Sequence, residues 1–336
     1  MRRARQPKLS YGGRIVGGMA MIDRLAGAPR IGLGLAAVGR PGYINLGRAG
    51  DLPPGRSVEA LRERVEQLLD EAYAAGVRYV DVARSYGRAE EFLAGWLAAH
   101  PAARDVVVGS KWGYTYVGDW RVDAEVHEVK DHTRATFERQ IGETRARLGD
   151  RLDIYHIHSL TPESTALTDR ELHRRLAGLA AEGVVVGFST SGPGQGATIR
   201  AALEISVGGE PLFRSVQATW NPLEPSAGPA LAAAHEAGCL VIVKEAMANG
   251  RLATPGGPLA GLAAELGATP DAVALAAVLD RPWARVVLSG AATSAQLAAN
   301  LAAGSLTLTD GHRRRLAALA EPPAAYWQTR ASLGWT

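Results

Sequence analysis

Cysteine is nearly missing from this chain of 336 residues, with Cys239 standing alone. No disulfide can form within it, and the setting Cys239-Leu240-Val241-Ile242-Val243 reads as a buried strand in which a thiol serves as a small hydrophobe. Long apolar runs are missing too, since none approaches the roughly eighteen residues that a membrane-crossing helix needs. The nearest thing to a secretory leader, residues 15–22, is short, broken by glycine and without a convincing cleavage site. Acidic residues are missing from the first fourteen positions, where Arg2, Arg3, Arg5, Lys8 and Arg14 cluster. Setting those five aside, the 34 acidic residues slightly outnumber the basic ones, so the formal charge of +3 belongs to the tail and the body carries no nucleic-acid footprint. Together these absences point to a cytoplasmic enzyme acting on a small molecule, with neither a membrane nor a nucleic acid as partner.

Hydrophobic residues make up 47% of the chain, enough to bury a large core, and α/β barrels of this length form one domain. Short β-branched runs alternate with longer amphipathic stretches, the pattern of βα repeats around a parallel sheet. Strands are predicted at 30–35, 78–82, 106–111, 153–157, 184–189, 215–218, 240–244 and 285–288. Between the first two lies a helix capped by Ser57, with Val58, Leu61, Val65, Leu68, Leu69 and Ala72 on one face and Gly76 as its stop. Further helices are predicted at 90–99, 133–148, 169–181, 197–205, 227–237 and 270–279. Eight strand-helix units favour a closed (β/α)8 TIM barrel, an α/β single domain, over an open sheet. The expected organisation is a poorly ordered basic tail over 1–28, the barrel over 29–320 and a C-terminal tail near the barrel mouth over 321–336. Non-helical connections at 113–131 and 247–258 are expected to form loops over that mouth.

Barrel enzymes carry their chemistry at the carboxyl ends of strands. One strand ends on Asp81 with Tyr86 just beyond, the next ends on Lys111, and the next carries His156 and His158. A phenol gives up a proton near neutral pH when a neighbouring cation draws its pKa below about 10. A buried lysine in turn stays charged only beside a carboxylate. Asp81 is therefore expected to hold Lys111 protonated, and Lys111 to make Tyr86 acidic enough to protonate a carbonyl oxygen.

With Asp81, Tyr86, Gly87, Lys111 and His158 in this order and spacing, the chain resembles the aldo-keto reductase superfamily from about residue 30 to about residue 320. The resemblance implies a nicotinamide-dependent oxidoreductase that reduces an aldehyde or ketone, or oxidises an alcohol or sugar in reverse, with Tyr86 as general acid and His158 binding the substrate oxygen. It also implies cofactor contacts from Ser189, Thr190, Gln217, Met247, Gly250, Gly290, Gln296 and Asn300. Thr190 departs from the family's asparagine, and the aromatic on which the family usually stacks its nicotinamide gives way here to Lys244-Glu245-Ala246-Met247. NADP(H) is the coenzyme expected from family frequency. NAD(H) is the alternative, because Gln296 stands where many NADP-preferring members have a basic residue for the 2′-phosphate. Aromatic walls for a substrate are expected from Trp112 and Trp220.

Three other readings compete. The His156/His158 pair suits a metal, but a metal-dependent barrel hydrolase needs further ligands at other strand ends, and none of the remaining histidines closes a predicted strand. Gly32-Leu33-Gly34-Leu35-Ala36-Ala37 fits a dinucleotide fingerprint formally, yet Gly39, Pro41 and Gly42 forbid the helix that must follow. A non-catalytic barrel that binds nucleotide as a regulator is the third.

Overall fold

Residues 24–46 and 50–336 are described by the computed structural model, so most of the basic tail lies outside the described residues. The strands of the barrel are β1 (Ile31–Gly34), β2 (Tyr79–Asp81), β3 (Val107–Trp112), β6 (Ile154–Leu160), β7 (Val185–Thr190), β10 (Ser215–Thr219), β11 (Leu240–Lys244) and β12 (Val286–Ser289). They close in the order β1-β12-β11-β10-β7-β6-β3-β2, and every neighbouring pair is parallel. Two short hairpins stand outside the barrel: β4 (Tyr114–Tyr116) with β5 (Glu128–Lys130), and β8 (Ser206–Val207) with β9 (Glu210–Pro211). The connection expected as a plain loop at 113–131 is thus a hairpin with a long tip.

The helices follow their caps. Helix α1 (Val58–Ala74) opens where Ser57 Oγ accepts from Ala60 N at 3.2 Å, buries Leu61, Val65, Leu68, Leu69 and Ala72, and ends before Gly76 in a left-handed turn (φ +86°). Helix α2 (Ala89–Ala99) follows Tyr86 closely, α3 (Arg134–Leu148) is capped by Thr133 and α4 (Arg170–Ala181) by Asp169. Then come α5 (Gln195–Leu203), α6 (Gly228–Glu236), α7 (Ala260–Leu266) and α8 (Pro270–Leu279), the last with proline in its first turn where no amide is missed. Helices α9 (Ser294–Ala302), α10 (Asp310–Ala317) and α11 (Pro323–Ala331) complete the chain. Beyond α11, Trp335 bridges Ile44, and the main chains of Tyr43 and Thr336 exchange hydrogen bonds of 3.1 and 3.2 Å. The C-terminal segment therefore lies against the loop that follows β1.

Strand alternation sorts the barrel interior by height. Low in the barrel Tyr79, Val107, Ile154, Leu240, Ile242, Val286 and Leu288 form an apolar plug. Further along the same strands, two residues after Tyr79 and Ile242 and four after Val107 and Ile154, the side chains become Asp81, Lys244, Lys111 and His158. Space in the middle layer is tight, since a Cβ on Gly187 would stand 2.3 Å from the Ser215 carbonyl oxygen and 2.6 Å from His156. That crowding stiffens the platform under the polar layer.

Candidate active site

Lys111 lies at the centre of the polar layer, fully buried. Its ammonium donates to Asp81 Oδ2, to the Val82 carbonyl at 3.0 Å and to the Tyr86 hydroxyl at 3.3 Å. Asp81 Oδ1 accepts from Gln217 Nε2 at 2.9 Å and from the Tyr79 hydroxyl at 3.3 Å, so the carboxylate is fixed from several strands at once. Both side chains are out of solvent and ion-paired with each other. On the far side of the phenol, Tyr86 Oη stands 3.4 Å from His158 Nε2. Four side chains from three strands and one turn thus meet at one rim.

The turn that presents Tyr86 is built by close approach. A Cβ on Gly39 would lie 2.6 Å from the Tyr86 carbonyl oxygen, and one on Gly87 (φ +57°) 2.6 Å from that of Gly39. Above the ring lies Arg40, buried to 2% exposure, which donates to the Ser85 carbonyl at 2.8 Å and to Glu128 Oε1 at 2.6 Å. Its guanidinium also faces the rings of Tyr43 and Trp335. On the histidine side, Tyr114 leans on His158 with centroids 5.1 Å apart, and His132 Nε2 meets the His158 carbonyl at 2.7 Å.

Electrostatics here differ from the expectation in one respect. Burial first, and the Asp81 carboxylate second, push the Tyr86 phenol well above its ordinary value, and Arg40 is the principal cation pulling it back. Tyr86 is therefore a protonated phenol, in contact with the Lys111 ammonium. Burial, with Lys111, Lys244 and Arg40 adding repulsion, drives His158 well below the histidine range, so it is neutral. A neutral imidazole and a protonated phenol, 3.4 Å apart, can together grip one oxygen atom.

The Tyr86 hydroxyl opens onto a cavity of about 700 Å³. It runs from Asp81, Tyr86 and Gln217 past Lys244 and Met247 to Gly290, Gln296 and Asn300. Gly250 lines it as well, so six of the eight residues expected at a cofactor, namely Gln217, Met247, Gly250, Gly290, Gln296 and Asn300, face this trough. Ser189 and Thr190 do not. Ser189 Oγ accepts from Ser159 N at 2.8 Å, Thr190 donates to Gln195 Oε1 at 3.5 Å, and both are fully buried. The two tryptophans expected as substrate walls also lie elsewhere. Alternation turns Trp112 outward, opposite to Lys111, to pack on Phe137 with centroids 5.2 Å apart, and Trp220 meets Trp283 edge-on at 5.7 Å. His156 sits below the polar layer with Nε2 2.9 Å from Ser215 Oγ, and burial with Lys111 nearby brings it down to about 3. Among the described residues no three His, Cys, Asp or Glu side chains are grouped to hold a metal.

Several residues on the trough had no signal in the sequence reading. Tyr43 and Asn45 arrive from the loop after β1, and Asp271 from α8. Lys244 could have been found by the logic that found Lys111, since it too closes a β-branched run.

Fold and site together define a parallel barrel whose mouth carries a tyrosine hydroxyl beside a buried lysine, a neutral histidine and a long trough. The family model of the aldo/keto reductases matches residues 31–321, and the chain belongs to that family. Members are oxidoreductases acting on carbonyl groups. A curated relative, the aldo-keto reductase str7 of Strobilurus tenacellus, is 30% identical over 135 residues, a stretch spanning 39% of this chain and 37% of that protein. Among solved structures, the holo form of aldo-keto reductase AKR11C1 from Bacillus halodurans is similar with a TM-score of 0.66 and 21% identity, over 87% of this chain and 92% of that one. PA4992 from Pseudomonas aeruginosa is similar with a TM-score of 0.60 and 23% identity, over 82% of this chain and 89% of that one. These two likenesses speak to the fold. No single helix among the described residues is long and apolar enough to cross a membrane.

Proposed function

We propose that this chain is an NAD(P)H-dependent reductase of aldehydes or ketones, with Tyr86 as the acid that delivers the proton. The observation that carries this reading is the Lys111 ammonium 3.3 Å from a Tyr86 hydroxyl that lines the trough. The trough suits an elongated coenzyme. It has the volume of a small-molecule site, its far end meets the N-terminus of α9 beside Gly290, and the carboxamide oxygens of Asn45 and Asn249, two lining residues, are buried without partners among the described residues.

A bound nicotinamide supplies the hydride. The residues of this chain do the rest. His158 Nε2 and Tyr86 Oη hold the carbonyl oxygen between them, which fixes the face of the carbonyl presented to the trough. As negative charge grows on that oxygen, the Tyr86 proton moves to it, and the phenolate left behind is stabilised by Lys111. Burial keeps the phenol protonated, so the acid stays loaded until the growing charge makes the substrate oxygen the stronger base. Asp81 holds Lys111 aimed at the phenol. Nothing in this sequence of proton movements calls for a metal.

The test is a pair of measurements on Tyr86→Phe and wild type. Titration with NADPH and NADH, followed by nicotinamide fluorescence, should give near-equal affinities in the two proteins, whereas turnover on a panel of aldehydes should drop by roughly a thousandfold, within the span expected for losing a general acid. Wild-type turnover in the variant overturns the role of Tyr86. Binding by wild type without turnover on any carbonyl would instead favour a nucleotide-binding regulator.

A further inference from the structure

A second lysine faces the reacting end of the trough. Lys244 closes β11 on an inward-facing position, and its ammonium donates to Thr219 Oγ1 at 2.8 Å. Glu245 Oε1 lies 3.6 Å away, but that carboxylate is already taken up by others. Arg330 reaches it through Nε at 3.0 Å and Nη2 at 2.6 Å, and the Thr219 hydroxyl donates to Oε2 at 2.9 Å. Two cations therefore share one anion. The Glu245 side chain is 6% exposed and that of Lys244 15%, so the ammonium is the more open of the two to the cavity both line. The remaining charges at this end are balanced in pairs, Lys111 by Asp81 and Arg40 by Glu128. The end of the trough next to Tyr86 carries one positive charge in excess.

That excess bears directly on a ring that changes charge when it reacts. A nicotinamide ring is cationic when oxidised and neutral when reduced. For its reactive carbon to reach a carbonyl held by Tyr86 and His158, the ring must lie where Tyr86, Gln217 and Lys244 line the trough. No aromatic side chain forms the wall there on the β11 side, which is made by Lys244, Glu245, Ala246 and Met247. The methylene stem of Lys244 can support a neutral ring, while its head repels a charged one.

We propose that Lys244 sets the redox-state preference of the coenzyme site, admitting the reduced nicotinamide and opposing the oxidised one, so that the chain is loaded for carbonyl reduction. The inference rests on the coenzyme reading above and extends it to the direction of the reaction. Burial eases Lys244 down to about 8 despite the pull of Glu245, which leaves it mostly charged at neutral pH. The Lys244 head is therefore a working cation under ordinary conditions.

Equilibrium binding tests this without any turnover. The full chain, Lys244→Met and Lys244→Arg are titrated with NADPH, NADP⁺, NADH and NAD⁺, the reduced forms by their fluorescence and the oxidised forms by competition against them. Wild type should hold the reduced member of whichever pair it binds at least roughly tenfold more tightly, the scale of one unlike charge in partly buried surroundings. Lys244→Met should close that gap by tightening the oxidised form, and Lys244→Arg should keep it open. A ratio unchanged in Lys244→Met, or both forms weakened alike, would overturn the proposal and leave carbonyl reduction standing. Failure of wild type to bind any of the four would overturn the coenzyme reading, and this inference with it.

Discussion

The Arg40 guanidinium lies 5.2 Å from the centroid of the Tyr86 ring and is ion-paired with Glu128 on the β4–β5 hairpin. It is the cation that most offsets the rise in Tyr86. Arg40→Met should therefore make the phenol a more reluctant donor and leave Glu128 without its partner. Turnover is expected to fall about tenfold, matching roughly one pKa unit, with the alkaline limb of the pH–rate profile moved upward. Denaturation should register a loss of roughly 2–4 kcal/mol, below a fully enclosed pair because Glu128 keeps some solvent contact. An unmoved pH profile would reduce Arg40 to a structural clamp.

Asp81 and Lys111 act as a unit. Asp81→Asn leaves the buried Lys111 ammonium without its counter-charge, which should cost about 3–5 kcal/mol of stability. Turnover should fall by at least roughly a hundredfold. The double variant Asp81→Asn with Lys111→Met is expected to be no slower than the worse single one, since both remove the same interaction. Multiplying losses in that cycle would show that the two residues work independently.

Gly39→Ala offers a steric probe of the Tyr86 turn. The added methyl would meet Ala89 Cβ at 2.5 Å and the Tyr86 carbonyl at 2.6 Å, both rigid neighbours. A loss of about 1–3 kcal/mol is expected, together with reduced turnover because the phenol shifts. Gly95→Ala on α2, where a Cβ meets nothing within 4 Å, is the matched control. It should be neutral or slightly stabilising.

Acid should unfold the protein through its histidines. Burial, with Lys130 assisting, lowers His132 to about 4, His156 falls to about 3, and His158 is depressed as well. Unfolded histidines take up protons below about 6.5, while these native ones remain neutral until far lower pH. Stability is thus complete above about pH 6.5 and drains away as pH falls toward 4. Between pH 6.5 and 5 each site contributes a loss of up to about 2 kcal/mol. Urea titrations at pH 7 and pH 5 measure the slope, and His132→Gln should flatten it. Glu245, where Arg330 and Lys244 overcome the effect of burial and hold the carboxyl down to about 2, acts only in more acidic solution.

The barrel was readable because its local signals agree with one another. The run 240–244 is β-branched and bounded by Gly238, and Pro270 opens a helix whose cap is Thr269, so both elements fall where the pattern put them. Asp81, Lys111 and His158 were readable for a related reason, as polar side chains ending apolar strands. Arg40 was not. It sits in a glycine- and proline-rich stretch, and its burial depends on Glu128 and Trp335, far away in the chain. Trp112 misled because adjacency to Lys111 along the chain means opposition across the sheet. The phenol's acidity misled for an energetic reason, since no residue spacing reveals how much water is removed from an oxygen. Ser189 and Thr190 illustrate a third limit, in that hydroxyls short enough to satisfy a neighbouring backbone or amide can be spent before any ligand arrives.

The β4–β5 hairpin and the segment after β11 come from connections, whereas Asp81, Lys111 and His158 are rooted in strands whose lower positions are wedged shut. The lining of the trough beyond β11 and the Asp81–Lys111 pair are therefore written in separate parts of the chain, whereas the hairpin, through Glu128 and Arg40, belongs with the phenol. Exchanging residues 253–255 would reshape the trough and leave the pairing around Lys111 in place.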